Sequence, residues 1–350
     1  MKKLLDRIFI DGLTGMAQGL FATLIIGTII QQIGTYCGGN IGNLIFTLGK
    51  VAAGLTGAGI GAGVARKLDA GHLVIVSAAV VGTIGAFAGD VMSGAVLKGN
   101  ALVLSGPGEP LGAFVASYIA IEIGILISGK TRLDIILTPL VCIGAGSAVG
   151  LLVGPPISGF MAWLGSLINW GTEQQPLIMG IVVSVLMGMI LTLPISSAAL
   201  GVILNLSGLA AGAATVGCCC NMIGFAVASF RENKISGLLS QGIGTSMLQV
   251  PNIVRHPLIW IPPILSSAIL GPVSTMVFHM TNNATGSGMG TAGLVGPLMT
   301  WQVMTKSEAE LIVLVKIILI QFVLPAVITL LFSEVMRKRK WIHFGDMKLD

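Results

Sequence analysis

Long apolar runs, broken at intervals by glycine, proline and charged residues, predict that most of this chain lies in a membrane. No Arg, Lys, Asp or Glu occurs from Gly12 to Gly49 or from Gln174 to Phe230, so each gap has room for more than one span of about 20 residues. Backbone amides in lipid must be satisfied within the structure, so the predicted fold is all-α, a polytopic membrane protein. The pattern predicts about ten spans: Gly12–Thr35, Leu48–Ala65, Leu73–Met92, Leu111–Ile127, Ile135–Val153, Leu177–Ile195, Leu200–Ser229, Leu238–Pro257, Ile259–Phe278 and Leu311–Ser333.

The composition supports lipid as the main solvent and argues against a nucleic-acid partner. Hydrophobic residues make up 54% of the chain and charged residues only 9%, whereas a soluble globular chain carries roughly a quarter charged residues. The net charge of +5 comes mainly from the ends and loops, and no basic face with interleaved aromatic residues occurs. We therefore expect membrane lipid, and no nucleic acid, as a partner.

The cation positions predict the orientation of the chain, because short cytoplasmic loops are enriched in Lys and Arg. Lys2, Lys3 and Arg7 place the N-terminus in the cytoplasm, and after ten spans the cluster Arg337–Lys340 lies there as well. By the same count Arg231 faces outward, against the rule.

The two halves of the chain resemble each other. A shift of about 165 residues aligns the same kinds of residue in both copies: Gly15, the pair Gln31 and Gln32, and Arg66 align with Gly180, the pair Ser196 and Ser197, and Arg231. Five spans per copy predict residues 1–170 and 171–350 as two transmembrane repeats, the second inserted upside down, that form one membrane domain. An inverted second copy would also explain an outward-facing Arg231.

Two segments combine polar groups with helix-breaking residues at apparent membrane depth. They are SGPGEPLG, Ser105–Gly112, and HMTNNATGSGMGTAGLVGP, His279–Pro297. Backbone that is not helical cannot face lipid, so we expect re-entrant hairpins or broken helices that are buried in protein or line water. The alternative is that both segments are loops outside the membrane.

The side chains of these two segments suit a small polar solute. Glu109 offers two strong acceptor oxygens, and Asn282, Asn283 and Thr285 offer donors and acceptors. A sugar needs that mixture, because each ring hydroxyl both donates and accepts. We therefore expect these four residues to bind a small polar solute, with a sugar as the leading class.

Polar groups within the spans are further candidates, because they are costly in hydrocarbon and usually turn inward. Asp90, Glu122 and His279 belong to this class, with solvation at an interface as the alternative for Asp90. Polar pairs at matching points of the two copies are candidates for the same lining, or for interhelical hydrogen bonds: Gln31 and Gln32 in the first, Ser196 and Ser197 in the second.

Signatures of catalysis, metal binding or disulfide frameworks do not occur in the sequence. The adjacent Cys218, Cys219 and Cys220 lie in an apolar stretch without nearby His or carboxylate, which favours packing over metal binding. Walker loops, zinc-protease motifs and nucleophile elbows are also missing from the sequence. We expect no catalytic residues, no metal and no cofactor, and whether the chain takes part in an enzymatic reaction stays open.

Three stretches are similar to a known family of membrane proteins. They are PISSAALG (Pro194–Gly201), CCCNMIGFAVASFREN (Cys218–Asn233) and TNNATGSGMGTAGLVGP (Thr281–Pro297), of which the third is the most specific. Over essentially its whole length the chain resembles the IIC-type membrane subunits of the phosphotransferase system, in particular the PfoR-like group. GPGEP, Gly106–Pro110, resembles the element by which many sugar IIC subunits place a glutamate on the substrate, which implies that role for Glu109.

The resemblance implies a multi-pass sugar permease domain in the bacterial inner (plasma) membrane, commonly a homodimer, that binds its substrate from outside. It also implies partner IIB and IIA phosphotransferase proteins, although the predicted cytoplasmic loops are short for docking a IIB subunit. Two alternatives remain open. One is a membrane sensor or regulator that keeps the permease fold without transport, and the other is an ion-coupled secondary carrier that uses Asp90 or Glu122.

Overall fold

The computed structural model describes residues 6–98, 101–104, 106–130 and 133–349, without the side chains of residues 98 and 158. Lys2, Lys3 and Ser105 from the sequence predictions therefore lie outside the described residues. The chain divides into two compact units, Met1–Met161 and Ala162–Asp350.

The first unit consists of helices and one short antiparallel hairpin. The two strands of the hairpin are β1 (Leu97–Lys98) and β2 (Ala101–Leu102). Its helices are α1 (Arg7–Cys37), α2 (Gly39–Gly54), α3 (Thr56–Lys67), α4 (His72–Ala86), α5 (Ala88–Ser93) and α6 (Pro110–Ile127), and α7 (Asp134–Thr172) continues into the second unit.

The second unit contains nine further helices and several short turns of other helix types. A proline occupies the first turn of α8 and of α13, where its missing N–H leaves no helical hydrogen bond unmade. A π turn covers Ser240–Gly244 and 3₁₀ turns cover Ser246–Gln249 and Ala292–Leu294. The helices are α8 (Pro176–Thr192), α9 (Ser197–Ile203), α10 (Gly208–Ala228), α11 (Phe230–Leu239), α12 (Val250–Arg255), α13 (Pro257–Val277), α14 (Ala284–Ser287), α15 (Val295–Met304) and α16 (Glu310–Lys338).

The helix lengths confirm the predicted class, an all-α polytopic membrane protein. In the described part of the chain, six helices are long and apolar enough to cross a membrane, and α2 with α3 adds a seventh if this pair, bent by 51°, forms one span. Helices α4 and α8 are apolar but shorter. The structure therefore contains fewer long spans than the ten that the sequence pattern predicts.

Close contacts between glycines set the helix packing of the first unit. A Cβ atom built on Gly15 of α1 would lie 2.6 Å from the carbonyl oxygen of Gly63 in α3. One built on Gly85 of α4 would lie 2.5 Å from the carbonyl oxygen of Gly112 in α6. Helices associate in lipid through van der Waals packing, so these small residues bring the backbones into contact.

We expect Gly15→Ala to destabilise the first unit, because its new Cβ would lie only 2.7 Å from the Cα of Val64 and would push α3 away from α1. Overpacking of this kind costs on the order of 1–3 kcal/mol. The matched control is Gly144→Ala in α7, where an added Cβ meets no atom within 4 Å. The thermal unfolding midpoint in detergent measures both changes, and equal midpoints would contradict the role of the contact.

The second half of α1 and helix α2 form an exposed apolar hairpin. Gly34 of α1 packs against the backbone of α2 at Gly42, and the outer side chains are open, with Ile41 exposed by 74%. Cys37, at the tip, is exposed, whereas the other four cysteines of the chain are buried. An apolar surface of this size fits a lipid environment rather than water.

Candidate functional site

Helices α10 and α13 run antiparallel in the second unit and provide a scale of depth. At 21 residues α10 is about 31 Å long, close to the thickness of a bilayer's hydrocarbon core. The backbone N–H of Asn282, just after α13, donates to the carbonyl of Gly208 at the start of α10 (3.2 Å). Trp260 near the start of α13 donates to Asn221 in the second half of α10 (3.0 Å). We call the two ends of this unit the Gly208 end and the Ala228 end.

Helices α8 and α9 form a first hairpin that enters from the Gly208 end. Helix α8 begins there, because the Pro176 carbonyl accepts a hydrogen bond from Thr275 near the end of α13 (2.8 Å). It stops in the interior, where Thr192 lies 3.2 Å from the side-chain oxygen of Asn221. Helix α9 then returns the chain to Gly208. The predicted span Leu177–Ile195 is therefore the inward arm of a hairpin.

Residues 278–305 form a second hairpin that also enters from the Gly208 end. Its inward arm passes Asn282 and reaches α10 at Cys218, where a Cβ on Gly290 would lie 2.7 Å from the Cys218 Cβ. Cys218 is ten residues beyond Gly208, or about 15 Å along α10. The outward arm, α15, brings Thr300 back to 3.0 Å from the Asn282 side chain. The polar break predicted at His279–Pro297 is thus packed inside the unit rather than forming a surface loop.

Residues 230–256 form a third hairpin, which enters from the Ala228 end. Its tip lies in the interior, where Ser246 Oγ is 2.8 Å from Thr192 Oγ1. The predicted span Leu238–Pro257 is wrong, because this segment consists of the end of α11, a π turn, a 3₁₀ turn and α12. Apolar composition alone cannot distinguish a buried hairpin from a crossing helix.

The third hairpin changes the predicted position of Arg231. Arg231 pairs with Glu334 of α16 (3.1 Å), and Glu232 pairs with Arg337 (2.8 Å). Arg231 and the C-terminal cations therefore lie at the same end of the unit. The predicted separation of these two charged clusters is wrong, because it counted the third hairpin as a crossing.

The tips of the three hairpins meet in the interior of the second unit. The Thr291 hydroxyl donates to the Gly242 carbonyl (2.5 Å), which joins the second hairpin to the third. The Ser197 hydroxyl donates to the Gly288 carbonyl (2.6 Å), which joins the first to the second. We call this meeting point, residues 192–197, 242–246 and 288–291, the central junction. Its hairpins enter from opposite ends, as expected where a path crosses a membrane protein.

The central junction consists of buried hydroxyl groups, amides and non-helical backbone. Asn221 is fully buried beside it, accepting from Trp260 and donating to the Gly217 carbonyl (3.2 Å) and to Ser267 (3.3 Å). Within residues 6–98, 101–104, 106–130 and 133–349, no group of three His, Cys, Asp or Glu side chains could hold a metal ion. Such a set of groups suits a neutral solute rich in hydroxyl groups.

Of the predicted residues, Ser196 and Ser197 lie at the central junction. Ser196 caps the start of α9 and accepts from the Ala199 N–H (3.3 Å), so its hydroxyl hydrogen is directed elsewhere. Ser197 contacts Gly288, as described above. The structure thus brings this serine pair together with the second hairpin.

Asn282 and Asn283 have different environments. Asn282 is 1% exposed, and its side-chain nitrogen lies within hydrogen-bond distance of three oxygens: Thr215 Oγ1 (2.8 Å), Thr300 Oγ1 (3.0 Å) and the Gly296 carbonyl (3.1 Å). Asn283 is half-buried and caps α14 by accepting from the Gly286 N–H (2.9 Å). Asn282 therefore anchors the second hairpin, and of the two only Asn283 is open to a solute.

The extended segment before α14 presents alternate side chains to its open side. His279 and Thr285 are exposed and Thr281 and Asn283 are half-buried, whereas Met280 between them is fully buried, as is Asn282. Successive side chains of extended backbone point to opposite sides, which explains the alternation over residues 280–283, whereas His279 has a positive φ of 47° and Thr285 lies in α14. These four accessible polar residues form one edge at the Gly208 end, and Thr281 was not among the predicted residues.

In the first unit, Glu109 lies where α4 and α6 meet. Its backbone N–H donates to the Ala86 carbonyl (2.8 Å), and its half-buried side chain caps α6 by accepting from the Leu111 N–H (3.5 Å). Gly108 before it has a positive φ of 73° and packs on Ala86, a conformation that favours glycine. Asp90, in the first turn of α5, is exposed.

The remaining predicted residues of the first unit contact other helices. Glu122 of α6 accepts a hydrogen bond from the Arg7 guanidinium at 2.6 Å, with each side chain about one-third exposed. Gln31 and Gln32 are half-buried on α1, and a Cβ on Gly49 of α2 would lie 2.9 Å from the Gln31 side chain. These contacts fit ion pairing and interhelical packing, the alternatives to solute binding.

A polar cavity of about 600 Å³ opens at one end of the first unit. Two of its cations are paired with acids, Arg7 with Glu122 and Arg66 with Asp69 (3.3 Å). These two cations are therefore partly neutralised by direct contact with a carboxylate. It is lined by Arg7, Asp11, Gln18, Arg66, Lys67, Leu68 and Asp69.

Lys316 has a structural role that the sequence patterns do not reveal. It lies on the apolar helix α16, where the sequence suggests only a side chain reaching toward the interface. In the structure its ammonium group donates to the Phe278 carbonyl (2.9 Å) and pairs with Glu308 (2.7 Å). Lys316 therefore satisfies a carbonyl at the C-terminal end of α13, where the second hairpin begins.

Comparison with known proteins extends this description. Residues 10–349 match the family described as Phosphotransferase system, EIIC, whereas the chain matches no curated protein. The match covers almost the whole chain, including all three hairpins, and agrees with the multi-pass membrane fold. This chain therefore belongs to the EIIC family, the membrane permease components of the phosphotransferase system.

Proposed function

We propose that the chain binds a sugar at the central junction and transfers it across the membrane. The observation that carries the proposal is the meeting of three hairpin tips that enter from opposite ends of the second unit. A solute at this point is reached from the Gly208 end past the first two hairpins, and from the Ala228 end past the third. Opening one side at a time would move the solute across.

The chemistry of the junction supports a sugar as substrate class. The Ser196 hydroxyl can donate to a ligand oxygen, because its own oxygen already accepts from the Ala199 N–H. Backbone groups at Gly288 and Gly290 lie on non-helical chain, where they can serve the hydroxyls of a ring. Asn283 and Thr281 supply further donors and acceptors at the Gly208 end.

The sidedness of the second unit follows from its charges in this proposal. Arg231, Arg255 and Arg337–Lys340 all lie toward the Ala228 end, which the positive-inside rule places in the cytoplasm. A cytoplasmic N-terminus follows from the same rule. A IIB partner that phosphorylates the sugar would dock at the Ala228 end. Three further parts of the proposal rest on the resemblance alone. They are Glu109 as a sugar contact, the homodimer and the PfoR-like grouping.

The inverted repeat stays a prediction and rests on the residue types that align in the two halves of the sequence and on the predicted span count. An inverted second copy requires Arg231 outside, which is incompatible with a cytoplasmic C-terminus, because both lie at one end. The contacts also differ, since α1 runs antiparallel to α3 through Gly15 and Gly63, whereas α8 runs parallel to α10. We retain the cytoplasmic assignment.

Binding of a sugar panel to the protein in proteoliposomes tests the proposal. We expect one sugar to bind, and Ser196→Ala to weaken it by about 2- to 10-fold, the effect of one lost hydrogen bond. Glu109→Gln should cost at least about tenfold if its charge contacts the sugar. The matched control is Ser166→Ala, an exposed serine that bonds only within its own helix.

Other outcomes separate the alternatives. If no sugar binds, or if the affinity for the sugar is unchanged by Ser196→Ala, the sugar site at the junction is wrong. Flux that collapses with a proton or sodium gradient would instead indicate an ion-coupled carrier. Binding of a cytoplasmic protein other than IIB, without any flux, would indicate a membrane sensor.

A further inference from the structure

The last residues of the described chain fold back onto the Ala228 end of the second unit. We call the segment Trp341–Leu349 the tail. Within it Met347 is fully buried and Ile342 is 2% exposed, and both pack with Phe225 of α10 and Ile253 of α12. The tail is therefore an integral part of this end of the unit.

Three amide side chains of the third hairpin hold the backbone of the tail. Asn233 donates to the Met347 carbonyl and accepts from the Leu349 N–H, both at 2.8 Å. Gln249 donates to the same Met347 carbonyl (3.0 Å), and Asn252 donates to the carbonyl of the following residue (2.9 Å). These bonds recognise backbone groups rather than particular side chains, so they can form and break without any covalent change.

The same amides connect the tail to the central junction. Gln249 uses its second N–H to donate to the Gln241 side chain (2.8 Å), and both residues are fully buried. The next residue, Gly242, is the one whose carbonyl accepts from Thr291 of the second hairpin. The tail is thus separated from the junction by two glutamines.

A second attachment lies at the rim of the tail. Asp346 accepts from the backbone N–H of His343 (2.7 Å) and lies 3.6 Å from the side chain of His256, directly after α12. The third hairpin is therefore tied to the tail on both of its arms, through Asn233 on one and through Gln249, Asn252 and His256 on the other.

We propose that the tail is a latch that holds the third hairpin closed, so that its release opens the central junction toward the Ala228 end. The inference rests on the proposed function, which makes the junction a solute site. The hairpin consists of short helical pieces joined by π and 3₁₀ turns, and its buried amides lose their partners when the tail leaves. Those amides would then bind water, and water would enter the hairpin as far as Gln241.

Two changes release the latch in the full protein reconstituted in lipid nanodiscs. Ending the chain at Lys340 removes the tail, and Asn233→Ala removes two of its hydrogen bonds without changing the tail itself. The matched control is Lys338→Ala, an exposed residue in the last turn of α16 before the tail begins. If the shortened chain fails to fold, Asn233→Ala still tests the latch.

Hydrogen exchange and thiol labelling measure the opening. We expect both changes to speed amide exchange of residues 238–252 at least about tenfold, while α10 stays unchanged. A cysteine placed at the tip, Ser246→Cys in a Cys37→Ser background, should react with a charged thiol reagent about tenfold faster. Unchanged rates at the hairpin, or a uniform rise across the whole second unit, would overturn the latch.

Neither measurement requires a sugar, so the latch and the solute site fail independently. Loss of sugar binding with an intact exchange response would remove the proposed substrate and leave the latch. Sugar flux that persists, together with amide exchange of the third hairpin that is unchanged when the tail is removed, would remove the latch and leave the solute site.

Discussion

Asn282→Asp is expected to destabilise the second unit strongly, whereas Asn283→Asp, one residue later, is expected to leave it intact. Asn282 is 1% exposed and donates toward oxygens of Thr215, Thr300 and Gly296. An aspartate carboxylate has no hydrogen to donate and would face those oxygens with its own negative charge. An unpaired buried charge costs roughly 3–5 kcal/mol, a large share of the roughly 5–15 kcal/mol that stabilises a typical domain.

Asn283 provides the control for this prediction. It is half-buried and caps α14 through its side-chain oxygen, a role that aspartate performs as well as asparagine. We expect the Asn283→Asp variant to purify with a thermal midpoint near that of the parent protein. Size-exclusion profiles and thermal unfolding in detergent compare the two, and an Asn282→Asp variant that folds normally would show that the second hairpin has another anchor.

Loss of one partner of the buried ion pair Glu232–Arg337 is expected to lower the free energy of unfolding strongly. Their side chains are 1% and 9% exposed, and they join the third hairpin to α16 at 2.8 Å. Arg337→Gln leaves the Glu232 carboxylate buried without its cation, which we expect to cost about 3–5 kcal/mol. Removing both charges, with Glu232→Gln in the same chain, should recover most of that loss, because no uncompensated charge remains.

The neighbouring pair of Arg231 and Glu334 is the matched control. It links the same two elements, but its side chains are 60% and 31% exposed. A pair in contact with water contributes about 0–1 kcal/mol, so Arg231→Gln should change the free energy of unfolding little. Chemical denaturation of the three variants measures the difference, and equal losses for Arg231→Gln and Arg337→Gln would refute the role of burial.

The helical spans could be predicted from the sequence because their signal is local. The predicted spans Leu111–Ile127 and Ile259–Phe278 agree with α6 and α13 to within two residues, and Leu311–Ser333 begins one residue after the start of α16 and ends five residues before its end. A run of apolar residues reports its preference for a helix directly. It does not report whether that helix crosses the membrane or turns back, because this depends on contacts with distant segments.

The failure at Leu238–Pro257 shows that limit. Its π turn contacts Thr291, 49 residues away along the chain, and the 3₁₀ turn that follows contacts Thr192, 54 residues away. A single sequence contains no record of such pairings. The miscounted crossing then placed Arg231 on the wrong side of the unit from Arg337.

Residue type predicted the polar segments but not the role of each side chain. Asn282 and Asn283 are adjacent and identical in type, yet one is an anchor and the other a cap that is open on one side. Thr192 and Ser246 of the junction lie inside predicted spans, and Thr291 lies in the predicted polar break without being one of the predicted site residues. Their roles follow only from the tertiary contacts of three hairpins.

The isolated position of Cys37 has a practical consequence. It is the one cysteine at the surface of the described chain, because Cys142 and the three consecutive cysteines of α10 are shielded from solvent. A maleimide spin label or dye would therefore attach at a single point without any engineering. Distances between two such labels would report directly whether two copies of the protein associate in the bilayer, and how far apart their α1–α2 tips stand.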